Sequence, residues 1–124
     1  VVMGNADKSI KKKLRKAGNS TGERTVEFPL WDEYADYMKS DIADLKNLGP
    51  MDAGAITAGK FLEHFTDYPW MHFDIAGPAY IPSQYNYRGK WATAYGVRLL
   101  FKFVQNQCKD EHTKSEKKGR NNTR

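Results

Sequence analysis

The chain has 124 residues, which is room for one domain, with 40% hydrophobic residues and a net charge of +5. Its single cysteine, Cys108, excludes an intramolecular disulfide and a thiolate zinc cluster. No apolar run of about eighteen residues is present to span a bilayer, and the N-terminus lacks the charged-then-apolar order of a secretion signal. These features predict a cytoplasmic protein in a reducing compartment, with no membrane partner.

The N-terminal third predicts strand, helix and strand in turn. Residues 1–4 have the composition of the end of an apolar strand, which indicates a piece of a longer protein. Asn5 is the expected cap of a helix that continues to Ala17, with Gly18 as a left-handed stop. Polar and apolar residues alternate over 24–28, as they do in a half-buried strand.

Two helices and a loop follow. Apolar residues recur at helical spacing over 31–45, with a break expected near Ser40 or Asp41. Gly and Pro mark 47–54 as a loop, which opens a helix over about residues 54–65. The expected buried stripe of that helix is Ala58, Phe61, Leu62 and Phe65, with Lys60, Glu63 and His64 outside.

Residues 70–75 predict a strand with apolar side chains on both faces, which is typical of a central strand in an α/β sheet. The strand ends at Gly77-Pro78, and ligand crevices of α/β sheets open at such ends. His72 and Asp74 share one face and can begin a metal site or an acid-base pair. Two ligands do not complete a site, and a hydrogen-bonded core histidine is the commoner case.

The C-terminal part contains a long connection and a last helix. Residues 78–94 predict a functional loop, because four aromatic side chains argue against disorder. The helix is expected to begin near Tyr95 or Gly96 and to be apolar on more than one face. Because apolar residues then stop, we divide the chain into a folded part, 1–107, and a charged disordered tail, 108–124.

Motifs of complete catalytic sites are missing. The sequence has no Gly-x-Ser-x-Gly, no phosphate-binding loop and no His-Glu-x-x-His pattern. Asp41 and Asp44 lie three residues apart and can share a helical face as paired carboxylates. Ordinary exposed surface charge is the more common explanation of such a pair.

Several strings nevertheless stand out together. They are SDIADLKNLG at 40–49, AGAITA at 53–58, WMHFDIAG at 70–77 and ATAYGVRLL at 92–100, with GER at 22–24 and FPLW at 28–31. In this order they resemble the C-terminal part of the cytosol (leucyl) aminopeptidase family. The likeness covers about residues 1–106.

This resemblance implies the C-terminal portion of a three-layer α/β/α sandwich around a mixed sheet. It implies a full-length metalloaminopeptidase that removes N-terminal residues from peptides with two divalent ions, zinc or manganese, and that is usually a hexamer. The family's metal ligands and its catalytic Lys and Arg come from segments N-terminal to these residues. No catalytic or metal-binding residue is therefore carried over, and the chain is expected to be inactive without its missing N-terminal part.

The resemblance carries over three substrate-binding residues. Leu48 matches a position that lines the pocket for the residue after the scissile bond. Ala76 and Ala79 match positions that line the pocket for the N-terminal side chain, where small residues leave room for leucine, although simple close packing of a turn explains them equally well. The family usually has Gly where Trp91 and Ala94 stand, so positive φ angles there would strain the backbone.

A second hypothesis assigns the chain to a different class of function, a non-catalytic binding or assembly module whose basic ends contact nucleic acid. Basic residues concentrate at 11–16 and 109–124. Neither block has interleaved aromatic residues on which bases stack, and net charge is a poor guide to specific partners. A nucleic-acid partner is the weaker prediction.

Overall fold

The computed structural model describes residues 1–87 and 89–121, with side chains described as far as 110. In chain order the elements are β1 (Val2–Met3), α1 (Lys8–Thr21), a 3₁₀ helix (Asp32–Met38), α2 (Gly54–Glu63), β2 (His72–Phe73), α3 (Ala76–Ala79), β3 (Tyr80–Ile81), β4 (Trp91–Ala92) and α4 (Val97–Asn121). None of the helices in this described part is long and apolar enough to cross a membrane.

A small mixed sheet is built around β1. Val2 lies opposite Phe73 of the antiparallel strand β2. On its other side Val2 donates its N–H to the carbonyl of Val26 at 2.9 Å and accepts the N–H of Phe28 at 2.9 Å, in parallel register. The predicted strand end at 1–4 is confirmed. Segment 24–28, predicted to be a half-buried strand, pairs with β1 only through an isolated bridge at Glu27, and its apolar residues Val26 and Phe28 are exposed. Among the described residues β2 pairs with β1 alone and covers only part of the predicted range 70–75, so it is an edge strand here and not the predicted central strand.

Helix α1 begins and ends later than its sequence predicts. Asp7, rather than Asn5, is the cap, and its carboxylate accepts the N–H of Ser9 at 2.6 Å. The helix passes through Gly18 and stops at Gly22, which takes the left-handed conformation with φ 74°. A Cβ on Gly18 would stand 2.6 Å from the Glu23 carbonyl oxygen, so this glycine permits close packing and does not end the helix.

The hydrophobic core lies between α1, α4 and the sheet. Val2, Leu14, Ala17 and Leu99 are buried together, and partly buried Met71, Phe73 and Phe103 pack against them. At the surface, the ammonium of Lys13 on α1 is 2.8 Å from the Asp110 carboxylate on α4. This core fixes the sheet end that precedes α3.

The predicted helix over 31–45 is only a 3₁₀ helix that ends at Met38. The expected break is confirmed, because the Ser40 hydroxyl accepts the N–H groups of Ile42 at 3.3 Å and Ala43 at 3.2 Å and so offers the backbone an alternative to helix. Ile42, expected on the apolar face, is 98% exposed.

The buried face of α2 differs from the prediction, although His64 is exposed as expected. Ile56, Thr57, Gly59 and Lys60 are buried, whereas Ala58, Leu62 and Phe65 are exposed and Phe61 is only partly covered. Gly59 faces the β1 side chain Met3, whose sulfur would be 2.6 Å from an added Cβ. The Lys60 ammonium is buried because it pairs with Asp32 at 3.0 Å and with Glu63 at 2.7 Å.

The connection before α4 contains regular structure. Residues 76–79 form a helical turn where a Gly-Pro turn was expected, and β3 and β4 then pair as an antiparallel hairpin with Tyr80 opposite Ala92. Helix α4 continues to Asn121, across most of the tail predicted to be disordered, since Lys, Glu, Gln and Arg are good helix formers. Residues 122–124 lie outside the described residues, and the division of the chain at 107 stays a prediction.

Candidate substrate-binding site

Leu48 lies on the loop between the 3₁₀ helix and α2, and its side chain is 81% exposed. It borders a mainly apolar cavity of about 290 Å³. Other side chains that line this cavity are Met38, Pro50, Ala58, Phe61 and Leu62. The Leu48 position can therefore contact an apolar group that enters this cavity.

The loop that carries Leu48 is held close to α2. Gly49 approaches Thr57 so closely that an added Cβ would stand 2.8 Å from the threonine hydroxyl. The buried Thr57 hydroxyl donates to the Gly54 carbonyl at 3.1 Å. Ala53, the residue before α2, has the left-handed conformation with φ 57°. A side chain larger than glycine at position 49 would collide with Thr57 and force the loop and α2 apart.

Ala76 and Ala79 lie on α3, directly after β2. Asp74 holds the start of this turn, because its carboxylate accepts the Ala76 N–H at 3.0 Å. Ala76 is exposed and Ala79 is partly buried. Neither alanine lines the cavity beside Leu48, so the structure does not gather the three predicted residues in one cavity.

The hairpin strand β4 is tied to α3 by hydrogen bonds. The Thr93 N–H donates to the Ala79 carbonyl at 2.9 Å, and the Thr93 hydroxyl donates to the Pro78 carbonyl at 2.5 Å. The rings of Tyr80 and Trp91 are 5.7 Å apart between centroids. The surroundings of Ala76 and Ala79 therefore depend on the conformation of the hairpin.

Two residues in this region have strained backbones. Trp91 has φ 83° and Ala94 has φ 55°, the left-handed region that favours glycine. These are the two positions at which the sequence predicts backbone strain if φ is positive. The strain lies beside a second cavity, of about 330 Å³, whose lining includes Ala92, Thr93 and Ala94.

Glu23 is a buried carboxylate that sequence reasoning did not single out. It accepts the N–H groups of Leu99 at 2.9 Å and Gly96 at 3.1 Å, and the Nε–H of Arg98 at 3.0 Å. Burial raises the pKa of Glu23, but the hydrogen bonds from Leu99, Arg98 and Gly96 outweigh it, so the pKa lies below its ordinary value. Glu23 is thus an ionised cap for the N-terminus of α4.

His72 and Asp74 do not form a metal site. The His72 Nε2 is buried without a hydrogen-bond partner among the described residues, so the expected hydrogen-bonded core histidine is not found. The Trp70 Nε1 is buried without a partner in the same way. Asp74 is committed to the Ala76 N–H. Within residues 1–87 and 89–110, no three His, Cys, Asp or Glu side chains lie close enough together to hold a metal ion.

The sheet, its covering helices and the turn at the end of β2 place the chain in the α/β class. The sequence profile of the cytosol aminopeptidase family, catalytic domain, matches residues 1–101. The chain therefore belongs to the cytosol aminopeptidase family, which confirms the family predicted by the sequence strings.

Relatives and solved structures agree with this assignment. A probable cytosol aminopeptidase of Geobacter sulfurreducens is 52% identical over 105 residues, which is 84% of this chain and 21% of the relative. The cytosol aminopeptidase of Coxiella burnetii is 34% identical with a TM-score of 0.75, covering 86% of this chain and 23% of that structure. The bottromycin maturation enzyme BotP in complex with Mn is 27% identical with a TM-score of 0.78, covering 86% of this chain and 24% of that structure. The chain thus spans about one fifth of the curated relatives that it matches.

Proposed function

We propose that the chain is the C-terminal part of the catalytic domain of a leucyl-type aminopeptidase, which hydrolyses N-terminal residues from peptides. The match of the family profile over residues 1–101 carries this proposal. The chain supplies walls of the substrate pocket, and the rest of the domain supplies the catalytic residues. The relatives are named cytosol aminopeptidases, so we place the protein in the cytoplasm.

Two divalent ions, zinc or manganese, are expected in the complete enzyme. A relative of known structure binds Mn. The described residues of this chain do not fit such a group, because His72 has no companion ligands and Asp74 is already hydrogen-bonded. We therefore assign the ions to the part of the domain outside this chain and derive no chemical step through them.

Leu48, Ala76 and Ala79 are proposed to contact the peptide on either side of the scissile bond. The exposed Leu48 side chain, beside an apolar cavity, suits the side chain of the residue after that bond. The methyl groups of Ala76 and Ala79 leave space for a bulky apolar N-terminal side chain such as leucine. Phe at either alanine position would fill that space.

The exposed apolar face of α2 supports an incomplete domain. Phe65 is 66% exposed, and Leu62 and the preceding loop residue Met51 are also exposed. Folded monomers seldom leave large apolar surfaces in contact with water. We propose that the N-terminal part of the same catalytic domain covers this face, and that the complete enzyme forms a homo-oligomer, a hexamer as is usual in the family.

The test measures kcat/KM of the full-length enzyme, expressed from the full reading frame that encodes this chain, with peptide substrates that differ in their N-terminal side chain. Ala79→Phe should lower kcat/KM for an N-terminal leucine by at least about tenfold while changing that for N-terminal alanine much less, since the loss is one of pocket volume. Ala35→Phe, at an exposed alanine on the 3₁₀ helix, is the control. Equal loss for both substrates in Ala79→Phe would contradict a role in the side-chain pocket.

A further inference from the structure

Four basic residues of α1 line one cavity. Lys8, Lys11, Lys12 and Arg15 follow the spacing i, i+3, i+4 and i+7, which places them on one face of the helix. This face borders a cavity of about 500 Å³. We call this cavity the α1 groove.

The opposite wall of the α1 groove is the extended segment that pairs with β1. Thr25, Val26 and Glu27 line it there, and Val2 and Leu14 line it beside the core. The groove is therefore bounded by a helix and by a strand segment that is hydrogen-bonded into the sheet. Its volume falls in the range of small-molecule sites, about 300–1,000 Å³.

The charges in the α1 groove are poorly balanced. The Lys11 ammonium lies 2.7 Å from the Glu27 carboxylate, which is the acidic group that lines the groove. Within the part of the chain whose side chains are described, Lys8, Lys12 and Arg15 form no ion pair. Like charges at i, i+4, such as Lys8 and Lys12, destabilise a helix, and a cation in the first turn opposes the helix dipole. An anion in the groove would relieve both effects.

We propose that the α1 groove binds a small molecule that carries two or more phosphate groups. The Arg15 guanidinium presents parallel N–H donors to one phosphate, while Lys8 and Lys12 act as point charges toward another. Lys12 and Arg15 are three residues apart and so lie on neighbouring turns of one helix face, where two linked phosphates can reach both side chains. The Thr25 hydroxyl adds a neutral donor on the opposite wall.

Nucleic acid is the less favoured occupant. None of the residues that line the groove is aromatic, so bases have no side chain on which to stack. The groove is also a bounded concavity rather than a stripe that continues along the chain. The proposal does not depend on aminopeptidase activity, since it rests on α1, Val2 and the 25–27 segment.

Isothermal titration of the full chain with inorganic pyrophosphate, at low and at physiological salt, tests this site. The double variant Lys12→Gln with Arg15→Gln should weaken binding by at least about tenfold, because two charge-assisted contacts are lost. Lys16→Gln removes one positive charge from the same helix at a position that does not line the groove, and it should change the affinity less than about twofold. Circular dichroism of each variant checks that α1 is retained.

A gain-of-affinity variant keeps the test independent of folding losses. Glu27→Gln removes the acidic group from the groove and frees Lys11, so pyrophosphate should bind at least about threefold more tightly. The proposal is overturned if pyrophosphate does not bind at millimolar concentration, or if Lys16→Gln weakens binding as much as the double variant does. Duplex DNA that binds more tightly than pyrophosphate and competes with it would also overturn it, in favour of a nucleic-acid site.

Discussion

Replacing Ala94 by glycine should stabilise the folded chain. Ala94 has φ 55°, is exposed, and lies in the turn before α4. An L-residue in the left-handed region costs about 1–2 kcal/mol, which glycine avoids. Glycine loses about 0.5–1 kcal/mol more backbone entropy on folding than alanine does. The free energy of unfolding should therefore rise by about 0.5–1 kcal/mol.

Urea denaturation followed by circular dichroism measures this change. With a denaturant slope of about 2 kcal/mol/M, the midpoint of Ala94→Gly should rise by about 0.3–0.5 M. Ala92→Gly is the matched control, because Ala92 is also exposed but lies in β4 without a positive φ, so its midpoint should fall. Trp91→Gly should change the midpoint little, since relief of its strain at φ 83° is offset by loss of the contact with the Tyr80 ring. A midpoint of Ala94→Gly that falls as far as that of Ala92→Gly would refute the reasoning.

Three further substitutions test the packing and the proposed missing surface. Glu23→Gln should destabilise the chain by about 2–3 kcal/mol at neutral pH, because it weakens three charge-assisted hydrogen bonds. The pKa of Glu23 is lower in the folded state than in the unfolded state. Its contribution to the free energy of unfolding is therefore present above the ordinary glutamate pKa and is lost as pH falls through the pKa of the folded state. Unfolding measured as a function of pH should show this acid loss in the parent chain and not in the variant. Gly18→Ala should lower the urea midpoint despite alanine's higher helix propensity, because its Cβ would stand 2.6 Å from the Glu23 carbonyl oxygen; a raised midpoint would show that the two segments can separate freely. Phe65→Ser should lower the free energy of unfolding of the isolated chain by no more than about 1.5 kcal/mol, the contribution of the edge contact with the Phe61 ring. It should also reduce the activity and the yield of the full-length enzyme; normal activity and yield would contradict burial of this face in the complete domain.

Local patterns predicted the elements whose partners lie within this chain. Leu14 and Ala17 on α1 were expected at apolar helical spacing, and both are buried in the core. The stop of α1 was misplaced because Gly18 and Gly22 are equivalent as local signals. The close approach of Glu23 to Gly18, a tertiary contact, decides between them.

The orientation of α2 was not predictable from its own sequence. Its apolar stripe indicated a buried face, but in this chain the opposite side packs on Met3 and carries Lys60 toward Asp32, which is 28 residues away. Helical periodicity identifies an apolar face and does not say which segment covers it. The three pocket residues came from the resemblance to the family, because Leu48, Ala76 and Ala79 carry no ionisable chemistry that spacing can detect.

The central claim is that this chain contributes pocket walls to an aminopeptidase whose metal ligands and catalytic residues lie elsewhere in the domain. The most direct measurement is hydrolysis of an N-terminal leucine substrate, with manganese or zinc added, by the purified chain and by its full reading frame. We expect no activity above background from the chain and metal-dependent activity from the full reading frame. Metal-dependent hydrolysis by the purified chain alone, or an inactive full reading frame with both metals, would contradict the account.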